Sequence, residues 1–209
     1  MTYYKATRPD GKSFHDAKTA WAVGETVKIK KKDRRADLCG VGILHAADAP
    51  GETLVGGSWP CRLFEVEGEP VAQEGHKFGF HELTVIRELP AWQALGPNGE
   101  AAAALIERAG RLTEDEARRL EATRAAAATA YATAYAAATA AYAAASSATR
   151  AAAYAAAAAT AAYAAAAYDA AAYDAAVSAA WALVVRDLIS EEQFQVLYGP
   201  WASVMEVEE

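Results

Sequence analysis

Between Gly110 and Gly199 the chain has neither glycine nor proline, and 40 of its 57 alanines fall in the 66 residues from Ala117 to Ala182. Alanine is the best helix former, so propensity alone predicts a very long helical region there. Unbroken from 114 to 189, such a helix would span roughly 110 Å at ~1.5 Å per residue. Only Arg150, Asp169 and Asp174 are charged between 125 and 185, so a bare rod would show water a wide apolar surface. The tract has to cover itself, by folding back or by meeting another chain.

The ends of these helices carry local signals. Asn98 is placed to cap a helix over about 99–109, with Gly110 as its left-handed C-terminal residue. Thr113 and Glu116 form a capping-box pattern, as do Ser190 and Gln193, and Gly199-Pro200 is expected to end a last short helix over 191–198. Inside the 114–189 region, Ser146, Ser147 and Thr149 mark the expected break near 146–149, because serine competes locally for backbone groups. With heptad position d at Tyr131 and a at Tyr135, a coiled-coil seam runs through Ala138, Tyr142, Ala145, Thr149, Ala156, Tyr163, Tyr173 and Val177. Tyr154 and Tyr168 lie off that seam and mark a second contact face. The expectation is an Ala/Tyr helical bundle or a long helical hairpin that self-associates as a dimer or larger, with these tyrosines and Thr149 as packing or interface residues.

Three other readings of the tract are weaker. A membrane span lacks the Leu, Ile and Phe that drive insertion. Thr149 and Thr160 stand eleven apart, the threonine spacing of alanine-rich ice-binding helices, but only that pair fits. Ala-Ala-Ala-Tyr-Asp occurs in tandem at 165–169 and 170–174, a step that a β-solenoid could use but that such an alanine-rich, turn-poor segment disfavours.

Residues 1–96 read differently. Tyr3–Thr7 is a candidate strand, Pro9-Asp10-Gly11 a turn, and a return strand through Phe14 is expected. Residues 25–30, 61–67 and 81–89 alternate as half-buried strands do, with Arg62, Phe64 and Val66 on one face and Leu63 on the other. Residues 49–60 hold two prolines and three glycines and make a natural rim for a pocket. The chain is therefore α+β: a small β-rich head over 1–96, then an all-helical domain over 97–209.

The net charge of −7 is all C-terminal, since residues 1–96 balance 13 basic against 13 acidic groups while 97–209 hold 7 against 14. That balance argues against duplex DNA as a partner. The first residues show no secretory leader, and two cysteines, Cys39 and Cys61, are too few for a disulfide framework, so a cytoplasmic location is expected. His15, His45, His76 and His81 share the head with both cysteines, but without metal-ligand spacing. No phosphate-loop, dinucleotide or nucleophile motif is present, so no catalytic residue, metal or cofactor is assigned and an enzyme is not favoured. Lys28, Lys30, Lys31, Lys32, Arg34 and Arg35 form the densest charge run, a candidate anion or partner surface whose plain alternative is a solvated loop. His15, His45, Asp48, Glu52 and Trp59 are the candidate lining of a small-molecule or nucleotide pocket, with Tyr4 opposite.

Four stretches carry a resemblance: Tyr3 to Phe14 with His15 after it, the run Leu38-Cys39-Gly40 with Gly42-Ile43-Leu44-His45, Leu63-Phe64-Glu65-Val66-Glu67-Gly68-Glu69, and the strand ending near Leu89. With the Ala-rich tract behind them, they resemble an uncharacterised family of tailed-phage and bacterial proteins. The tract here holds fewer Trp, Arg and Asp than is usual in that family. The resemblance implies a phage or mobile-element context, hence host cytoplasm, and brings no activity. The leading expectation is a non-enzymatic accessory protein that self-associates and binds a protein partner, in the form of an inhibitor of a host defence or regulatory system. The alternatives are a nucleotide-sequestering or ADP-ribosyl-transfer-type head, and an ice-binding or structural-assembly protein.

Overall fold

The structure, a computed structural model, describes residues 1–205 apart from 36, 39–41, 127 and 165–169, and leaves out the side chains of 148, 161–164, 170 and 171. Cys39, Tyr168 and the Tyr163 side chain lie outside the described residues, as does the first copy of the tandem pentapeptide. Two compact units divide the chain, Met1–Ala94 and Leu95–Glu209, and the class is α+β.

The first unit is one seven-stranded antiparallel sheet of β1 (Tyr3–Thr7), β2 (Thr26–Lys28), β3 (Leu44–Ala47), β4 (Arg62–Glu67), β5 (Pro70–Glu74), β6 (Lys77–Phe80) and β7 (Glu82–Leu89). Its spatial order is β2-β7-β4-β1-β3-β6-β5. Register sets apolar residues opposite one another, as in Tyr3 with Val66, Leu44 with Phe80 and Val27 with Leu83. Because strand side chains alternate, these pairs line one face and join Trp21, Phe64, Phe78 and Val85 in a single core. The Tyr3 ring meets those of Phe78 and Phe80 at 4.9 and 4.8 Å between centroids.

Several expectations for this unit change. No return strand runs through Phe14: a single bridge, Lys12 to Ala20, stands in its place. Asp16 draws the backbone N–H groups of Lys18 and Thr19 onto one carboxylate oxygen, and such local bonds compete with a ladder. Leu63 is as fully buried as Phe64 and Val66, so β4 is covered on both faces. Strand β3 and the β5–β6 hairpin carry no clear alternation and were not expected. In β6, a Cβ on Gly79 would stand 2.3 Å from Ile43 Cδ1, so a larger residue there would have to displace the Ile43 side chain.

The second unit holds α1 (Gly99–Ala109), α2 (Glu114–Ala126), α3 (Ala128–Ala144), α4 (Ser147–Ala164), α5 (Ala170–Val184) and α6 (Glu191–Met205). Helix α5 packs against α4, α6, α1 and α2, and its residues from Ala175 to Val184 are all buried except Val177. A helix apolar on every side has to be buried on every side, and alanine and Ser178 let its neighbours come close. Both capping boxes form: the Thr113 N–H donates to the Glu116 carboxylate at 2.6 Å and the Ser190 N–H to the Gln193 side-chain oxygen at 2.9 Å. The break falls at 145–146, and Ser146 Oγ accepts the Thr149 N–H at 3.2 Å to open α4.

Three end signals read otherwise in the structure. Asn98 makes no capping bond and instead donates to Asp187, and Gly110 sits in the right-handed region at φ −71°. Helix α6 runs through Gly199-Pro200, because Phe194, Leu197, Trp201 and Val204 form a buried stripe at helical spacing whose burial outweighs the backbone bond that proline removes. The seam read from 131 to 177 is divided at 145–146, beside the break expected near 146–149. In α3 the buried positions are Ala134 and Ala138, while Tyr135 turns out at 48% exposure.

Candidate functional site

The site begins with an irregularity in the middle of the sheet. Five register pairs join β1 to β4, but only one, Tyr4 with Ala47, joins β1 to β3. No further register pair joins the two strands, and residues of both line a cavity of about 390 Å³. Lys5 and Ala6 form one bank and His45, Ala46 and Ala47 the other. Lys77 joins from β6, where it is paired with Ala47. Phe14 and His15 close one end from the loop after the first turn, and Glu52, Thr53 and Val55 supply the rim expected of residues 49–60.

Electrostatics favour a negative guest. Lys5 Nζ stands 5.3 Å from the centroid of the Trp21 ring and, among the described residues, takes part in no ion pair. Burial pushes its ammonium down to about 8, Asp16 opposing the change and Lys77 adding to it. The Asp16 carboxylate is engaged with the Lys18 and Thr19 backbone and the Thr19 hydroxyl. Burial, then the charge of Lys77, holds the His45 imidazole below the ordinary histidine range, against the hydrogen bond that Nε2 donates to the Leu38 carbonyl at 2.6 Å. Because a carbonyl only accepts, Nε2 carries the hydrogen and Nδ1 of the neutral ring keeps a lone pair. Lys5 and Lys77 thus meet Glu52 in the lining and the Asp16 charge nearby, and neither lysine makes an ion pair among the described residues. A bound anion would give them direct partners.

Of the five pocket residues read from the sequence, His15, His45 and Glu52 line this cavity, and so does Tyr4. Asp48 does not: it accepts from His76 Nδ1 at 2.8 Å, and that bond, with the nearby Glu52, raises the His76 imidazole above its ordinary range. Trp59 also lies outside the lining. Lys5 and Lys77 were missed, because a lysine in a strand reads as a solvated charge. One signal was available: Lys5 shares strand parity with Tyr3, whose side faces the core.

The basic run does not present six free cations. Lys28 pairs with Glu82 at 2.9 Å, Arg34 donates to the Ile29 carbonyl and Arg35 to that of Arg34. Lys30, Lys31 and Lys32 remain exposed. Cys61 is a buried free thiol that burial pushes up to about 12, which leaves it unreactive. Among the described residues no His, Cys, Asp and Glu group could hold a metal ion, and no helix is long and apolar enough to cross a membrane.

In the helical unit, Tyr131 bonds Ser178 through its hydroxyl and stacks on Tyr135, while Tyr135 and Tyr142 both meet Trp181, at 5.3 and 5.8 Å. These tyrosines face α5 of their own chain. Tyr173 is partly buried, and Thr149 serves in the first turn of α4. Tyr154 is 71% exposed. With Tyr135, Tyr142 and Trp181 it borders a surface groove of about 210 Å³. Thr160 is fully buried and donates to the Ala156 carbonyl, so the Thr149/Thr160 pair presents no face to ice. Comparison with protein-family models, with curated proteins and with solved structures finds no match for this chain.

Proposed function

We propose that the β-rich unit binds and sequesters a small anionic molecule in the cavity that β1 and β3 line. One observation carries the reading: Lys5, Lys77, His15 and His45 line a single cavity in which, among the described residues, neither lysine has an ion-pair partner. About 390 Å³ is the size of an ordinary small-ligand site and suits a mononucleotide or a smaller acid. Among the described residues no serine or cysteine lines the cavity, so binding rather than turnover is the reading. The alternative of an ADP-ribosyl-transfer-type head shares the cavity with His15 and His45.

The test is thermal denaturation, followed by calorimetry, with inorganic phosphate, mononucleotides, dinucleotides and small carboxylates. At least one of these anions is expected to raise the melting temperature of the native chain and to lose that effect in Lys77→Ala. A flat response across all four classes would overturn the proposal.

A second reading is favoured by the exposed pair Tyr154 and Tyr135 beside Trp181. Here the Ala/Tyr helices form a bundle around α5 rather than a long hairpin, and the aromatic groove is where the chain self-associates and meets a protein partner. This is the phage-accessory role, acting in host cytoplasm on a defence or regulatory protein. Light scattering at increasing concentration tests it: a dimer or larger species supports it, and a monomer throughout removes self-association.

A further inference from the structure

We infer that Lys5 captures its ligand covalently: its ε-amine condenses with the carbonyl carbon of a small oxo acid lodged in the cavity that β1 and β3 line, forming an imine. The inference rests on the anion-pocket reading above and narrows it to acids that also carry an aldehyde or ketone.

Placement comes first. β1 is the fourth of seven strands, flanked by β4 and β3, so Lys5 is held on the innermost strand of the sheet and is one of the residues that line the cavity. The Trp21 ring covers the amine on one side, and no carboxylate pairs with it among the described residues. An ammonium partly withdrawn from water without a direct ion pair is costly, and two events relieve it: arrival of an anion, or loss of the proton. An oxo acid allows both, since its carboxylate can meet Lys77 and His15 while its carbonyl meets the amine. With a pKa of about 8, roughly a tenth of the amine is neutral at pH 7, against about one part in a few thousand for an ordinary lysine. Burial and a neighbouring cation are the usual means of activating such an amine.

The step balances without an oxidant. The Nζ lone pair attacks the carbonyl carbon, a C–N bond forms, and the former carbonyl oxygen takes up a proton to give a carbinolamine. Nitrogen loses a proton, the C–O bond breaks and the oxygen departs as water, so amine and carbonyl become one imine and one water. His45 lines the same cavity as a neutral ring with a free Nδ1 lone pair, which suits it to relay these protons.

The experiment incubates the full chain with glyoxylate or pyruvate, with and without sodium borohydride, whose hydride fixes an imine as a secondary amine. Intact mass and peptide mapping then locate the added carboxymethyl or carboxyethyl group. Lys5 is expected to carry about tenfold more adduct than an exposed lysine such as Lys31, and Lys5→Met should abolish it. Lys5→Arg is the folding control, because it keeps the charge above Trp21 and cannot form the imine. Glycolate and lactate, which lack the carbonyl, separate the two readings. If all four acids bind and no adduct forms at Lys5, the covalent inference falls and the anion pocket stands. If none of the four binds, the inference falls, and a flat response to phosphate and nucleotides as well would remove the pocket. Adduct spread evenly over surface lysines also overturns the inference.

Discussion

The two units bury themselves with opposite inventories. In the sheet a few large side chains do it: Tyr3, Phe64, Phe80, Leu63 and Leu83 are each buried to within 2%. In the helices just over half of the buried apolar set is alanine, including Ala153, Ala156, Ala176, Ala179 and Ala180, and larger residues such as Ile106, Leu120, Trp181, Phe194 and Trp201 make up the rest. A large side chain gains stability from its own area, about 25 cal/mol per Å² of apolar surface removed from water. An alanine gains little alone and contributes by letting two helix axes come close. The sheet should therefore be hurt most by deletion and the alanine helices by addition.

The largest expected effect is Phe64→Ala, which should cost about 3–5 kcal/mol because a fully buried ring leaves a cavity behind. Hydrogen exchange reads it unit by unit: β1 and β4 amides should exchange faster and α5 amides should hold. Equal loss in both units would mean that their stabilities are coupled and the contrast is wrong. Next comes Ala180→Leu in α5, where added volume has no space and overpacking costs about 1–3 kcal/mol. A neutral result by urea unfolding would show that the alanine packing tolerates bulk.

Glu116 probes an end rather than a core. It receives the Thr113 N–H, pairs with Arg108 and is 3% exposed, so Glu116→Ala should cost about 1–2 kcal/mol through the lost cap. Burial alone would raise its carboxyl, but the Thr113 and Arg108 bonds outweigh it and hold it below the ordinary carboxylate range. A depressed acid stabilises the fold above its unfolded pKa and ceases to as pH falls through the folded value. The difference between wild type and Glu116→Ala should therefore be full at pH 7 and shrink below about pH 4.5, as urea unfolding at several pH values would show.

What the sequence revealed follows the range of each signal. Capping boxes, the Pro9-Asp10-Gly11 turn, strand β1 and the Ser146 break all act within a few residues, and each is present in the structure. The candidate site is half legible: the sequence points to His15, His45 and Glu52 as lining, but not to Lys5 and Lys77. They meet only because Tyr4, Ala47 and Lys77 fall into register across β1, β3 and β6, and register between distant strands is not written in local pattern. Asp48 was misplaced for a similar reason, since its partner His76 stands 28 residues away. Pro200 misled because a breaker acts locally while the Leu197–Trp201–Val204 stripe gains its stability from tertiary burial.

The smallest expected change in stability belongs to Tyr154, and it separates packing from association. At 71% exposure its ring adds little to the fold, so Tyr154→Ser should alter unfolding free energy by no more than about 0.5 kcal/mol. If the groove beside it joins two copies, the same substitution should shift the mass seen by light scattering toward the monomer at a fixed concentration. Tyr142→Ser gives the contrast within one groove, because Tyr142 already meets Trp181 of its own chain and its loss should lower stability as well as association. A Tyr154→Ser protein that keeps both stability and mass would show that the alanine helices satisfy themselves within one chain, which would leave α5 as the element that covers the tract.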